Sequence, residues 1–110
     1  MNWKDKAKQH FLNCQPVEGC GLLAKKDNKE IFWPCKNLAK DFNEETTFAI
    51  DPFDYAACED SGAEILAVIH SHVEGSSEPS EADVENCAIY MLDWYIYSIK
   101  DNNWHYMEAK

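Results

Sequence analysis

The amino-acid sequence predicts an α/β or α+β domain in which helices flank a β-sheet. Segments with apolar residues at helical spacing alternate with short β-branched and aromatic runs, in the order α-β-β-β-α-β-α-β-β. An unbroken apolar run, Ile65 to Ile69, is typical of a strand that is covered on both faces. The length of 110 residues lies near the commonest size of one domain, so we expect a single domain over residues 1–110.

The first half of the chain predicts a helix, a hairpin and a short strand. Residues 3–12 place apolar side chains at helical spacing among lysines and acids. Residues 17–24 and 30–35 are two largely apolar segments separated by an Asp-Asn pair, which favours a tight turn and therefore a β-hairpin. Residues 46–50 are β-branched and aromatic, which predicts a short strand.

The second half predicts two helices and three strands. One helix is expected to begin at Pro52 and to end at a glycine ten residues later. The strand at residues 64–70 contains the unbroken apolar run and is expected at the centre of the sheet. Ser80 opens a second helix, and residues 94–99 and 104–107 predict the last two strands. The apolar face predicted for the second helix consists of Val84, Cys87, Ala88 and Met91.

The charge distribution excludes two classes of partner. The chain has ten lysines, no arginine and twenty acids, for a formal net charge of −10. Most of the imbalance lies in residues 56–110, which carry a net −9. Such a field repels phosphate, so we expect no binding to nucleic acid or to an anionic membrane surface. There is no apolar run of about 20 residues and the first ten residues are polar, so a cytoplasmic location is expected.

The cysteines do not indicate a disulfide framework or a zinc knuckle. There are five, an odd number, and no two are spaced as CxxC. We expect reduced and mostly buried thiols at Cys14, Cys20, Cys35, Cys58 and Cys87. Cys20 stands between two glycines, which indicates close backbone packing rather than a nucleophile.

The strongest chemical signal follows the buried strand. His70 and His72 are two residues apart, so their side chains lie on one face of the strand, where both imidazoles can reach one metal ion. Asp83 lies in the first turn of the next helix, and the intervening loop is long enough to bring it back to the strand end. Two histidines and one carboxylate leave a fourth position open, as in catalytic zinc sites. Residues 80–83 also fit a helix capping box, so capping remains an alternative for Asp83.

The spacing of these residues resembles a known family. His70-Ser71-His72, seven residues, Ser80, two residues and Asp83 match the H-x-H-x7-S-x2-D motif of the JAMM (MPN+) metallopeptidases. Glu18, within Glu-Gly-Cys-Gly-Leu-Leu, is similar to their upstream catalytic glutamate. The resemblance covers nearly the whole chain and is greatest to prokaryotic JAB domains, especially the JAMM half of lambda-like phage tail assembly proteins. Further similar segments are 50–52, 55–60, 79–83 and 94–96.

The resemblance implies a JAB/MPN-type central mixed sheet and a zinc-dependent peptidase or isopeptidase. It assigns Zn²⁺ to His70, His72 and Asp83, with a water as fourth ligand. It makes Glu18 the base that takes a proton from this water and passes it to the leaving amine. It makes Ser80 the donor of a hydrogen bond to the oxyanion. The family usually has proline after the second histidine, where this chain has valine.

The implied context is phage tail assembly, or processing of a cell-wall or precursor substrate. The implied partners are a peptide or protein substrate, phage tail proteins and a separate NlpC-type peptidase. The chain lacks the long insertions by which eukaryotic relatives bind ubiquitin chains, which argues against a deubiquitinase.

Two alternatives belong to other functional classes. A non-catalytic assembly or scaffold module would keep the fold and the metal. A zinc deaminase is suggested by H-x-E at residues 72–74, but no P-C-x-x-C follows.

Overall fold

The computed structural model describes residues 2–39 and 49–109, and its sheet follows the predicted alternation of helices and strands. Every predicted element that lies within these residues is present, with ends displaced by up to three residues. The elements are α1 (Trp3–Cys14), β1 (Cys20–Lys26), β2 (Lys29–Cys35), α2 (Pro52–Asp60), β3 (Glu64–His72), α3 (Glu81–Tyr90), β4 (Asp93–Ser98) and β5 (Asn103–Met107). The strand predicted at residues 46–50 lies mostly outside the described residues; Ile50 forms an isolated bridge with Asn37.

The sheet is mixed, and its strand order is β2-β1-β3-β4-β5. Strand β3 pairs antiparallel with β1 and parallel with β4, whereas β1–β2 and β4–β5 are antiparallel pairs. A parallel pair needs a crossover connection, and α3 provides it between β3 and β4. The apolar β3 therefore occupies the centre, as its composition predicted, and the expected α/β class is confirmed.

The hairpin turn shows why its sequence favours this fold. Asp27 and Asn28 both have positive φ, 53° and 63°. A two-residue hairpin loop of this kind needs two left-handed residues, and Asp and Asn tolerate that conformation better than other non-glycine residues. The turn sets Lys26 opposite Lys29 and thereby fixes the register of β1 and β2.

Helices cover both faces of the sheet. Helix α1 packs on one face, where Ala7 and Phe11 contact a cluster of strand side chains: Leu23, Phe32, Ala67, Ile69 and Tyr97. Helices α2 and α3 cover the other face, where Cys58 and Cys87 join Leu22, Val68, Trp94 and Ile96. Of the aromatic residues near the C-terminus, Trp94 belongs to the second layer and Tyr95, Tyr97 and Trp104 to the first, whereas Tyr106 is exposed. No helix of the described residues is long and apolar enough to span a membrane.

The predicted apolar face of α3 is wrong. Of its four members only Cys87 is buried; Ala88 is exposed, and Val84 and Met91 are 53% and 72% exposed. The other buried side chain of α3 is Asp83, which points towards β3. Because Asp83 must face the sheet, the helix turns the side that carries Val84 and Ala88 outwards. Met91 ends the helix in a left-handed conformation, with φ 56°.

None of the five cysteines, all of which lie in the described part of the chain, forms a disulfide. Four of them are buried, and the sequence predicted mostly buried thiols. Cys14, at the end of α1, is partly exposed.

The beginning of α2 also agrees with the sequence, since Pro52 is its first residue and the Asp51 side chain accepts a hydrogen bond from the N–H of Phe53. Gly62, with φ 88°, follows the end of that helix.

Candidate metal centre

Three side chains with metal-ligating atoms converge at the end of β3. His70 and His72 project to the same face of the strand, and α3 brings Asp83 against both of them. Asp83 Oδ1 lies 2.8 Å from His70 Nε2, and Oδ2 lies 3.2 Å from His72 Nε2. One donor atom from each residue lies within 4.8 Å of the other two. Donors about 2.0–2.1 Å from a tetrahedral zinc ion are about 3.3 Å apart, so these side chains fit such an ion.

The site is closed towards the core and open towards solvent. His70 is 1% exposed and Asp83 3% exposed, whereas the His72 side chain retains 14% of its accessible surface. Two imidazole nitrogens and one carboxylate oxygen are also the donor types that suit zinc. A three-residue ligand set with an open side is the pattern of a catalytic rather than a structural zinc site.

A backbone contact sets the tautomer of His72. The Nδ1 atom lies 2.7 Å from the carbonyl oxygen of Ser76 in the loop after β3. A carbonyl oxygen can only accept, so Nδ1 carries a hydrogen. Nε2, the atom that faces Asp83, donates to that carboxylate when the imidazole is protonated and carries the lone pair for a metal ion when it is neutral. The loop is held by Ser98, whose hydroxyl donates to the carbonyl oxygen of Gly75 at 2.8 Å.

Asp83 both caps its helix and contacts the histidines. Its Oδ2 accepts the backbone N–H of Ser80 at 2.9 Å, and the Ser80 hydroxyl oxygen accepts the backbone N–H of Asp83 at 3.1 Å. These two bonds form the capping box that residues 80–83 predicted. Capping and metal ligation are therefore not exclusive, because the box fixes the carboxylate in the position that faces His70 and His72.

The electrostatics of the site favour a cation. Burial alone would lower the pKa of His70, but hydrogen bonds to Asp83 and Glu18 outweigh it and raise that pKa above its ordinary value. Burial opposes the ionised form of Asp83, yet hydrogen bonds from His70 and His72 hold its pKa well below the ordinary range. The carboxylate therefore stays charged next to imidazoles that hold positive charge readily.

Glu18 lies beside His70 on the side away from Asp83. Its carboxylate is buried, and Oε1 lies 3.5 Å from His70 Nδ1. Two hydrogen bonds fix the backbone around Glu18. Asn37 Nδ2 donates to the Glu18 carbonyl oxygen at 2.8 Å, and the N–H of Gly19 donates to the Ser71 hydroxyl oxygen at 2.9 Å. Ser71 lies between the two histidines and points to the opposite face of β3, so one strand positions both the histidines and the glutamate.

The family model of prokaryotic homologs of the JAB domain matches residues 2–109 of this chain. The chain belongs to the prokaryotic JAB family. The JAB domain is 41% identical over 83 residues to the tail tip assembly protein K of Escherichia phage N15. That match covers 76% of this chain and 33% of the phage protein, so the chain spans about a third of its curated relative. The resemblance to prokaryotic JAB domains of phage tail proteins is thereby confirmed.

Two solved structures share the fold. A protein of Desulfitobacterium hafniense, determined in solution, superposes with a TM-score of 0.73 at 20% identity, covering 96% of this chain and 86% of that one. A JAB1/MPN domain protein from Archaeoglobus fulgidus superposes with a TM-score of 0.61, also at 20% identity, covering 98% and 85%. At this identity the two likenesses establish the fold, which is the JAB/MPN fold expected from the motif.

The remaining candidates of the JAB domain occupy distinct positions. Ser80 is the N-cap of α3, and its oxygen accepts from Asp83, so its hydroxyl hydrogen is left for a second acceptor. Cys20 is fully buried, and burial raises the pKa of its thiol, which keeps it protonated and excludes it as a nucleophile. The adjacent glycines pack closely, as predicted: a Cβ on Gly19 would lie 2.5 Å from Phe11 Cδ1, and one on Gly21 2.5 Å from Phe32 Cε1.

Three polar residues that support the site were missed in the sequence. Asn37, Ser71 and Ser98 are buried and bond to segments far away in the chain, over 19, 52 and 23 residues respectively. No local pattern distinguishes such residues from surface Asn and Ser. Only Ser71 could have been expected to be buried, because it lies between the two histidines on a strand that the sequence predicts to be covered on both faces.

Proposed function

We propose that this JAB domain is a zinc-dependent peptidase or isopeptidase that hydrolyses an amide bond. The observation that carries the proposal is the convergence of His70, His72 and Asp83, with the buried carboxylate of Glu18 beside them. The first three residues would hold the ion. Family membership supports the same assignment, since the motif that these residues form is the one that JAMM peptidases share.

Each remaining residue has a role that its position supports. A bound zinc ion would polarise the substrate carbonyl and lower the pKa of a water molecule to about 7. Glu18 would accept a proton from the attacking water and deliver it to the leaving nitrogen, because its carboxylate is fixed next to the ligands. The free hydroxyl hydrogen of Ser80 would bond the oxyanion, an interaction that is worth about 2.7–4 kcal/mol in comparable sites.

The substrate proposed is a neutral or basic peptide segment in phage tail assembly, processed in the host cytoplasm or in the tail. The similarity to a tail tip assembly protein supports this context. The loop after β3 supports the charge preference, because it carries Glu74 and Glu78 and no lysine. Phage tail proteins and a separate NlpC-type peptidase are the partners proposed.

The proposal is tested by measuring the zinc content of the protein and its rate of peptide cleavage. Purified chain should contain about one zinc per molecule by elemental mass spectrometry, and cleavage is followed with a peptide library and with recombinant tail proteins. Glu18→Gln should keep the zinc but lower the rate about 10²- to 10⁴-fold, as expected for loss of a general base. His70→Ala should lose the zinc. Glu30→Gln, at an exposed acid of the hairpin, is the matched control and should retain both.

Unchanged cleavage by Glu18→Gln, or by protein stripped of zinc with a chelator, would contradict the hydrolytic mechanism. A second candidate is a non-catalytic assembly module that keeps the fold and the metal, and the name of the phage N15 relative favours it. Stoichiometric zinc without cleavage of any peptide or tail protein would support this second function.

A further inference from the structure

The three candidate ligands are held in place by different parts of the structure. The side chain of His70 is 1% exposed and lies within the sheet, and the capping box of α3 fixes Asp83. His72 is the last residue of β3, and its side chain retains 14% of its accessible surface. It is therefore the most exposed of the three ligands, and its orientation depends on the loop that follows β3.

The backbone of this loop provides a hydrogen-bond acceptor for His72. Nδ1 of the imidazole donates to the carbonyl oxygen of Ser76 at 2.7 Å, and Nε2 faces Asp83. Metal-binding histidines generally donate their second ring N–H to such an acceptor, which fixes the ring and raises its basicity. Ser76 itself is exposed, however, and follows Gly75, a residue whose backbone has many accessible conformations. A further contact is needed to hold the Ser76 carbonyl in place.

Ser98 supplies this contact from within the sheet. It is the last residue of β4, lies directly opposite His72 in the parallel β3–β4 pair, and is 0% exposed. Its hydroxyl donates to the carbonyl oxygen of Gly75 at 2.8 Å and accepts the backbone N–H of Asp101 at 3.0 Å. The carbonyls of Gly75 and Ser76 belong to consecutive planar peptide units, so only the two backbone dihedral angles of Ser76 separate the bonded carbonyl from the acceptor of His72.

The position of Ser98 is otherwise one for an apolar side chain. Side chains two residues apart on a strand lie on the same face, and β4 presents Trp94 and Ile96, both fully buried, on the face that carries Ser98. A hydroxyl group buried there would destabilise the fold unless it were hydrogen-bonded. Both of its bonds go to backbone groups outside the strands, so the hydroxyl holds loops rather than fills the core.

We propose that Ser98 is a positioning residue for the zinc ion. Its hydroxyl fixes the Gly75 carbonyl, the adjoining Ser76 carbonyl then orients the His72 ring, and Nε2 of this ring binds the ion. Ser98 acts only through the loop and is not itself a ligand. The inference rests on the zinc site of the proposed function but is independent of hydrolysis, so its tests measure metal binding and the histidine ring instead of cleavage.

Zinc affinity is measured by competition with a zinc-binding dye. Ser98→Ala removes the hydroxyl without adding volume and should bind zinc about tenfold or more weakly than the wild-type chain, as when other groups that orient metal ligands are removed. Ser61→Ala is the matched control, because the Ser61 hydroxyl also donates to a carbonyl oxygen, that of Cys58, and accepts a backbone N–H, that of Ala63. Ser61 lies at the C-terminal end of α2, so this variant should keep the wild-type zinc affinity.

A pair of variants of equal shape separates the hydroxyl from the packing. Ser98→Thr keeps a hydroxyl, whereas Ser98→Val has a methyl group in its place. The threonine variant should bind zinc about tenfold or more tightly than the valine variant. Urea unfolding, followed by circular dichroism, checks that each variant compared is folded.

Metal-free protein allows a second measurement that is independent of zinc. Hydrogen bonds to Asp83 and Ser76 outweigh burial and raise the pKa of His72, and below this pKa both ring nitrogens carry a hydrogen. NMR of ¹⁵N-labelled protein detects a ring N–H that a hydrogen bond protects from exchange with water. The Nδ1–H signal of His72 should be present in wild-type and Ser61→Ala protein and should be lost in Ser98→Ala.

The outcomes separate this proposal from the proposed function. Equal zinc affinity of Ser98→Ala and the wild-type chain, an equal loss in Ser61→Ala, or an unchanged Nδ1–H signal in metal-free Ser98→Ala would each overturn the role of Ser98. A wild-type chain that binds no zinc would instead contradict the proposed function, and the Nδ1–H signal alone would then decide whether Ser98 orients His72.

Discussion

Asn37→Ala should destabilise the domain and displace Glu18. Asn37 is 5% exposed, and its hydrogen bonds include three made by the side chain: Nδ2 donates to the Glu18 carbonyl, and Oδ1 accepts from the N–H groups of Ala39 and Ala49. A hydrogen bond contributes about 0.5–1.5 kcal/mol net, so the loss should be about 2–4 kcal/mol. A domain of this size shifts in Tm by about 4–8 °C per kcal/mol, so Tm should fall by at least about 8 °C.

The assays for this variant are urea unfolding, followed by circular dichroism, and zinc binding. Asn13→Ala, at an exposed asparagine of α1, is the matched control and should change the unfolding free energy by less than about 0.5 kcal/mol. Asn37→Asp separates the two contacts, because it keeps the acceptor for Ala39 and Ala49 but loses the donor to Glu18. Both Asn37 variants should bind zinc normally and cleave slowly. A stability loss no larger than that of the Asn13 control would refute the reasoning.

Three other outcomes are expected. Gly19→Ala should lower the unfolding free energy by about 1–3 kcal/mol in urea, since its Cβ would press on Phe11, whereas Gly75→Ala, with no atom within 4 Å of its Cβ, should not. Thiol titration of folded protein at about pH 8 should label Cys14 quickly but leave Cys35 unreacted, because burial raises the pKa of that thiol to about 12. Metal-free protein should lose unfolding free energy as pH rises from about 6.5 through the raised pKa values of His70 and His72, because hydrogen bonds to Asp83 outweigh burial and stabilise both protonated imidazoles; a His70→Gln variant should show a smaller slope.

The sequence predicted the elements of this fold because each has a local cause. The Asp-Asn pair suits the left-handed turn between β1 and β2, Pro52 suits the first position of α2, and the apolar run of β3 suits the centre of a mixed sheet. The convergence of the histidines and Asp83 was predictable for a related reason: a period of two on a strand and a capped first helical turn fix where those side chains point.

The supporting contacts of the site were not predictable in the same way. The bonds of Asn37 and Ser71 join backbone groups that only the folded chain brings together, and neither residue is part of a local motif. The roles of Glu18 and Ser80 came from the family motif and not from any property that a single sequence displays. Glu18 is one acid among twenty, and its burial becomes visible only when β1 is placed next to β3.

The error in α3 has its origin in the position of Asp83. A helical stripe of apolar residues normally faces the core, because burial of apolar surface is the main stabilising term. In this helix the capping box and the two histidines fix Asp83 inwards, and Cys87, one turn later, follows it into the core. The side that carries Val84, Ala88 and Ile89 must then face solvent. The half of the helix that carries Ala88 and Ile89 lies opposite the half that carries Asp83, so the exposure of these apolar side chains is the structural consequence of building the ligand set from α3.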